Sequence, residues 1–338
     1  MIFVGHTLER TSLLMYSPLN NIGFYTLTEE RAKFKHSNLE RCEMIVTSFC
    51  NFKCPYCRGV KAYGRKCMGH IDYDNAKYIL GYWIDNGLKS IRFSGGEPLL
   101  YPHINDLVKI SKNGGIKNIA ISSNGSLKQS EYEKLLNSGV NDFSISLDAC
   151  CANIADKMSG TTGYFNTIIS NMKYLSDKAY TTVGIVLTRE TESTIVDVIK
   201  LAHDLNVADI RIITAAQYNG KLSHLEKVPQ YIINQYPILK YRINNLINGR
   251  NVRGIVSTDT SRCYLVRDDF VVAGDWHFPC VIYMREGGEP IGKIGINMIA
   301  ERLKWSYVHD THDDLICVNN CLDCLVDYNN KTNYYQLK

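Results

Sequence analysis

Lys89-Ser-Ile-Arg-Phe-Ser94-Gly-Gly-Glu-Pro98 is a short β-prone run that stops at a pair of glycines, and both of its neighbours carry helical spacing. Upstream, Ala76, Ile79, Leu80, Trp83 and Ile84 mark one apolar face of residues 72–86, with Asp72 as N-cap and Gly87 at the stop. Downstream, residues 102–113 read as a helix ended by Gly114-Gly115. The alternation repeats along the chain. Strands are expected at 43–47, 89–94, 118–123, 142–148, 182–188 and 209–214, with intervening helices at 128–138, 165–175 and 194–206 and a last one at 229–248. Strict alternation implies right-handed crossovers and a parallel sheet. No Gly-x-Gly-x-x-Gly follows the first strand, which argues against a dinucleotide-binding fold. The expected fold is α/β: a partial (βα)6 TIM-like barrel followed by a small α+β domain.

After Gly249 the texture changes. Short β-prone runs at 264–267, 270–273 and 281–284 are broken by Asp268-Asp269, Gly274-Asp275 and Gly287-Gly288, and an amphipathic helix follows at about 297–306. The expected division is an N-terminal extension at 1–42, the barrel at 43–249 and the small domain at 250–338. The last piece is too small for a generous core, so metal ligation is expected to stabilise it.

Composition narrows the chemistry. The 338 residues are 45% hydrophobic and 21% charged, enough for a core and unlike a disordered chain. A net charge of +4 gives no indication of nucleic-acid binding. No apolar run reaches the ~18 residues of a membrane span. The first ten residues lack a basic n-region and a long apolar h-region, so a reducing cytoplasm is the expected location. There, 12 cysteines read as metal or cluster ligands rather than disulfides.

Cys50-Asn-Phe-Lys-Cys54-Pro-Tyr-Cys57 follows the first strand, where a parallel barrel builds its active site. Three thiolates on one loop can hold three irons of a [4Fe–4S] cubane and leave the fourth open. A zinc loop completed by Cys67 or His70 is the other reading of that spacing.

Cys-x3-Cys-x2-Cys with Tyr56 before the third cysteine, and Gly95-Gly96-Glu97-Pro98 at the next strand end, resemble the radical S-adenosylmethionine superfamily. Ser123-Asn124-Gly125 and Ser146-Leu-Asp148 resemble its polar strand ends, and the likeness covers residues 43–211. It implies that Cys50, Cys54 and Cys57 hold a [4Fe–4S] cluster. It also implies that Tyr56, Gly95, Gly96, Glu97, Asn124, Ser146 and Asp148 lie around S-adenosylmethionine, with Glu97 meeting its ammonium. Arg189, after the fifth strand, is grouped with these contacts as a candidate carboxylate binder.

Cys263 and Cys280 flank an expected hairpin, and Cys321-Leu-Asp-Cys324 supplies two further thiols. The arrangement resembles the superfamily's twitch subdomain, a shortened SPASM domain, and implies an auxiliary [4Fe–4S] cluster on Cys263, Cys280, Cys321 and Cys324. Structural zinc is the alternative. Cys317 is left over. Molybdenum-cofactor cyclases, a twitch-type group, use three cysteines there and end in a diglycine, whereas this sequence ends Gln336-Leu337-Lys338. The stretch before residue 43 is expected to be too short for the winged-helix leader-peptide module of many peptide maturases.

The implied activity is reductive cleavage of S-adenosylmethionine to a 5′-deoxyadenosyl radical that takes a hydrogen atom from a substrate C–H bond. The expected outcome is oxidative, a dehydrogenation or cross-link in a small molecule or peptide. An external one-electron reductant of flavodoxin or ferredoxin type would feed the cluster. Two other readings stand beside it. One is a redox-neutral epimerase with Cys67, Cys150 or Cys151 as hydrogen donor; the other is a non-catalytic iron–sulfur or zinc protein. Gly287-Gly288-Glu289-Pro290 repeats the Gly-Gly-Glu-Pro sequence but follows no barrel strand, and is expected to form a hairpin turn.

Overall fold

A computed structural model describes residues 41–58, 68–215 and 223–337. Six strands form the parallel sheet expected from the alternation: β1 Arg41–Thr47, β2 Ser90–Gly95, β3 Asn118–Ser123, β4 Asp142–Ser146, β5 Tyr180–Leu187 and β6 Asp209–Thr214. Their crossovers carry helices α1 Tyr73–Asp85, α2 Ile104–Asn113, α3 Gln129–Ser138, α4 Ala152–Ser159, α5 Phe165–Ser176 and α6 Ile195–Asp204. Asp72 caps α1 by accepting the Asn75 amide at 2.9 Å, and Gly87 leaves it at φ +81. Two helices, α7 Gln230–Gln235 and α8 Pro237–Ile247, replace the single one expected at 229–248. Pro237 causes the break, because proline disfavours helical geometry in the residue before it.

Alternation decides which face of each strand meets the helices. Cys42, Met44, Val46, Ile91, Phe93, Ile119, Ile121, Phe143, Ile145, Val183, Ile185, Ile210 and Ile212 join one core with the helices. The opposite face is polar and charged. Glu43 accepts from the Ser94 hydroxyl at 2.5 Å, and Arg92 donates to Ser122 at 2.9 Å and lies 3.6 Å from Asp142. Arg211 donates to Ser144. A buried charge is costly unless paired, and these arginines face carboxylates and hydroxyls across the sheet.

The sheet does not stop at β1. Strand β7 Asp269–Ala273 pairs parallel with β1, and β8 Trp276–Phe278 and β9 Gly292–Lys293 add antiparallel, giving the order β6-β5-β4-β3-β2-β1-β7-β8-β9. Arg41 locks this junction through an ion pair with Asp269. The remaining elements are α9 Leu265–Asp268, α10 Val281–Arg285, α11 Met298–Val308, α12 Leu315–Asn320 and α13 Asp323–Gln336. Runs 264–267 and 281–284, expected as β-prone, are largely helical here. Cys280 caps α10, with its Sγ accepting the Tyr283 amide at 3.4 Å. Gly287, at φ +80, follows the end of α10, so the second Gly-Gly-Glu-Pro terminates a helix rather than turning a hairpin. No helix among the described residues is long and apolar enough to cross a membrane.

Candidate functional site

The loop leaving β1 carries Cys50 and Cys57, both exposed, and the half-buried Cys54. Backbone bonds pin it. The amides of Gly96 and Glu97 donate to the carbonyls of Thr47 and Phe49 at 2.8 Å each, and that of Lys53 donates to Ser159 at 2.7 Å. The glycine pair is what permits this. A Cβ on Gly95, at φ +138, would lie 2.1 Å from the Thr47 carbonyl oxygen, and one on Gly96 would lie 2.1 Å from that of Phe49. The close approach runs between the end of β2 and the cysteine loop.

Glu97 lies just past β2, at the N-cap of a short turn over Pro98–Leu100. It is fully buried, and its carboxylate accepts from Ser123 Oγ at 3.0 Å and from the amides of Asn124 and Leu99 at 2.8 and 3.2 Å. Burial pushes its carboxyl up to about 7. It thus ties the end of β2 to the end of β3. Asn124, so positioned, donates to Asn51 Oδ1 at 2.8 Å and reaches Cys50 Sγ at 3.8 Å, while Asn51 donates to Ser126 at 2.8 Å. Ser123 belongs to the polar strand end that the sequence displays, whereas Asn51 and Ser126 join the site unannounced. The only signal they gave was their place beside Cys50 and Asn124.

Tyr56 and Asp148 meet directly. The Tyr56 hydroxyl donates to Asp148 Oδ2, and Asp148 Oδ1 takes the Val186 amide at 2.6 Å. The loop is therefore fastened to β5 as well as to β2 and β3. Burial lifts Asp148 to about 6. Ser146 is exposed at the end of β4, and Arg189 is exposed beyond β5. Cys150, half-buried, and Cys151, exposed, follow β4. Cys67 lies outside the described residues. His70 packs edge-on against Phe49, with ring centres 5.0 Å apart.

These thiols suit a metal centre. Burial raises the half-buried Cys54 thiol to about 12, so a cation beside it would favour its thiolate form. An all-sulfur donor set on one loop fits a polynuclear iron–sulfur group.

A second sulfur-rich site lies after residue 249. Cys263, Cys280, Cys317 and Cys321 line one apolar cavity with Pro279, Tyr283 and Trp305. Cys324, buried at the first turn of α13, packs in one apolar cluster with Cys263, Cys280 and Cys321. Burial raises Cys263 and Cys321, and Cys280 to about 12. Three buried charged side chains build the frame, none of them foreseen. Asp323 pairs with Arg242, accepts from Asn245 at 2.9 Å and receives the Cys324 amide at 2.6 Å. Arg302 donates to the carbonyls of Val266, Phe278, Asp269 and Pro279 at 2.6–3.1 Å, clamping the chain that leads to Cys280. Arg58, next to Cys57, pairs with Glu286 at 2.5 Å and joins the first cysteine loop to α10.

A parallel αβ sheet with a three-cysteine loop after its first strand defines a class. Residues 44–202 match the Radical SAM superfamily, and the chain carries a domain of that superfamily. Its curated relatives include the GTP 3',8-cyclase of Chlorobaculum tepidum, 36% identical over 106 residues, which are 31% of this chain and 32% of that protein. The GTP 3',8-cyclase of Staphylococcus aureus strain JH9 is 28% identical over 137 residues, 39% of this chain and 40% of that one. The matched segments thus span only about a third to two-fifths of those relatives. Among solved structures, Streptococcus suis SuiB bound to precursor peptide SuiA superposes with a TM-score of 0.59 at 17% identity, covering 89% of this chain and 71% of that one. The structure of anSMEcpe with bound AdoMet gives a TM-score of 0.58 at 15% identity, covering 88% and 96%. At such identities the likeness is one of fold.

Proposed function

We propose that this chain is a radical S-adenosylmethionine enzyme that modifies a C–H bond of a small molecule or peptide, with an oxidative outcome. Cys50, Cys54 and Cys57 would hold a [4Fe–4S] cluster with one open iron. Bound there, the cluster and S-adenosylmethionine together supply a 5′-deoxyadenosyl radical. The protein's part is placement. Glu97 fixes Asn124 against the cluster loop, the glycine pair lets β2 press on that loop, and Asp148 holds Tyr56. Ser146 and Arg189, exposed at the ends of β4 and β5, are left to meet the cofactor's polar groups or the substrate. The observation that carries the reading is the three-thiol loop braced at a strand's C-terminal end, where parallel barrels place their chemistry.

Cys263, Cys280, Cys321 and Cys324 would hold an auxiliary cluster in a twitch-like segment, 250–338, giving the substrate electron a route out. Their shared apolar packing around Cys324 supports that set. A reductant of flavodoxin or ferredoxin type would supply the first electron. One observation favours a second reading. Cys150 and Cys151 sit on the same rim past β4, where a thiol could return a hydrogen atom in an epimerisation. The oxidative and redox-neutral readings are separated by product analysis. An oxidised product with Cys150→Ala and Cys151→Ala still active supports the first. Loss of turnover with 5′-deoxyadenosine still formed supports the second.

A further inference from the structure

A four-cysteine site leaves Cys317 over, and that thiol, on the wall of the cavity it shares with Cys263, Cys280 and Cys321, also lies beside His309 and Asp314. Among the described residues, His309, Asp314 and Cys317 are the one set of three His, Cys, Asp or Glu residues whose ligand atoms lie within 4.8 Å of one another. We propose that they form a mononuclear site for a divalent ion of the zinc class, separate from the cysteine set of the auxiliary cluster.

The distances fit. His309 Nε2 lies 3.4 Å from Asp314 Oδ2 and 3.9 Å from Cys317 Sγ. A tetrahedral zinc ion with bonds of about 2.0–2.3 Å has ligand–ligand edges of about 3.4–3.8 Å. One nitrogen, one oxygen and one sulfur make a borderline donor set that suits zinc. A thiolate and a carboxylate together neutralise a dication. Three protein ligands leave a fourth position for water.

Helix capping explains only half of Asp314. Its Oδ1 accepts the amides of Ile316 and Cys317 at the start of α12. Its Oδ2 takes no part in the cap; it faces His309 and accepts from the Tyr283 hydroxyl at 2.8 Å. The imidazole is also held, stacked on Trp305 with centres 3.8 Å apart and planes at 17°. Outer contacts of this kind orient metal ligands. Cys317 reaches the group because α12 carries its thiol to the wall of the cavity lined by Tyr283 and Trp305.

The site does not rest on radical chemistry, so it is tested separately. The full chain, reconstituted anaerobically with iron and sulfide, is titrated with cobalt(II) as a spectroscopic stand-in for zinc. Wild type should take up about one equivalent, with tetrahedral d–d and thiolate-to-cobalt bands, and lose no iron. His309→Ala and Cys317→Ala should abolish the bands with iron content unchanged. Asp314→Asn keeps a good helix cap and should weaken binding at least about tenfold. Three results would each overturn the proposal: no cobalt uptake by wild type, uptake that survives His309→Ala, or iron lost from Cys317→Ala. The last would make Cys317 a cluster ligand.

Discussion

At the scale of single residues, Glu97 gathers donors that belong to two neighbouring strand ends. Removing its carboxylate strands the amides of Leu99 and Asn124 and the Ser123 hydroxyl inside the protein. Glu97→Ala should therefore cost about 2–4 kcal/mol in urea unfolding. S-adenosylmethionine affinity, measured on the reconstituted variant, should fall as a consequence of the displaced Asn124. Full stability with only the affinity lost would return Glu97 to the direct ammonium contact that Gly-Gly-Glu-Pro suggested. Gly96→Ala makes a steric test of the same junction. Its Cβ would strike the Phe49 carbonyl, and overpacking of this kind costs about 1–3 kcal/mol. The comparison is Gly295→Ala, where nothing lies within 4 Å of the new methyl. Equal denaturation midpoints and equal iron retention in the two variants would refute the close-approach role.

At the scale of elements, the barrel was legible because its signals are local. Alternating apolar residues, the Asp72 cap and the Gly87 stop each act within a few positions, and all appear where the sequence put them. The segment after residue 249 obeys longer-range forces. Val281-Ile-Tyr-Met became helical because Cys280 supplies a cap from the preceding residue, a role that strand propensity does not register. The pairing of β7 with β1 joins residues more than two hundred positions apart, so no local pattern could announce it. Likewise, the cysteine spacing displayed the thiols but not Arg242 or Arg302, which act only once the chain has folded back.

Asp209, at the start of β6, offers a test of how α8 is held. It accepts the Ile238 amide at 3.1 Å, and burial raises its carboxyl from 3.8 to about 7. The folded state thus binds the proton more tightly than the unfolded chain. Its contribution is full below about pH 4 and is lost as pH rises through about 7. Asp209→Asn should flatten that slope, read from urea midpoints at about pH 5 and about pH 8. An unchanged slope would show that this carboxyl does not titrate in the folded protein across that window.

At the scale of the whole molecule, one sheet runs from β6 through β1 to β9, and the two cysteine regions are joined by Arg41–Asp269 and Arg58–Glu286. Each centre should still load independently, because each has its own thiols. Cys321→Ala or Cys324→Ala should lose about half the iron, roughly four of eight atoms, and destabilise the segment after Gly249. Iron analysis and limited proteolysis would check both effects. Retention of all the iron in both variants would remove these thiols from the ligand set.

The central claim is that the Cys50–Cys54–Cys57 loop directs reductive cleavage of S-adenosylmethionine. The most direct measurement is anaerobic reconstitution of wild type and of the triple Cys50→Ala/Cys54→Ala/Cys57→Ala variant, followed by dithionite, S-adenosylmethionine and quantification of 5′-deoxyadenosine. The account predicts 5′-deoxyadenosine from wild type and none from the variant, which keeps about half its iron. Cleavage by the triple variant, or a wild-type chain that binds zinc and forms no 5′-deoxyadenosine, would contradict it.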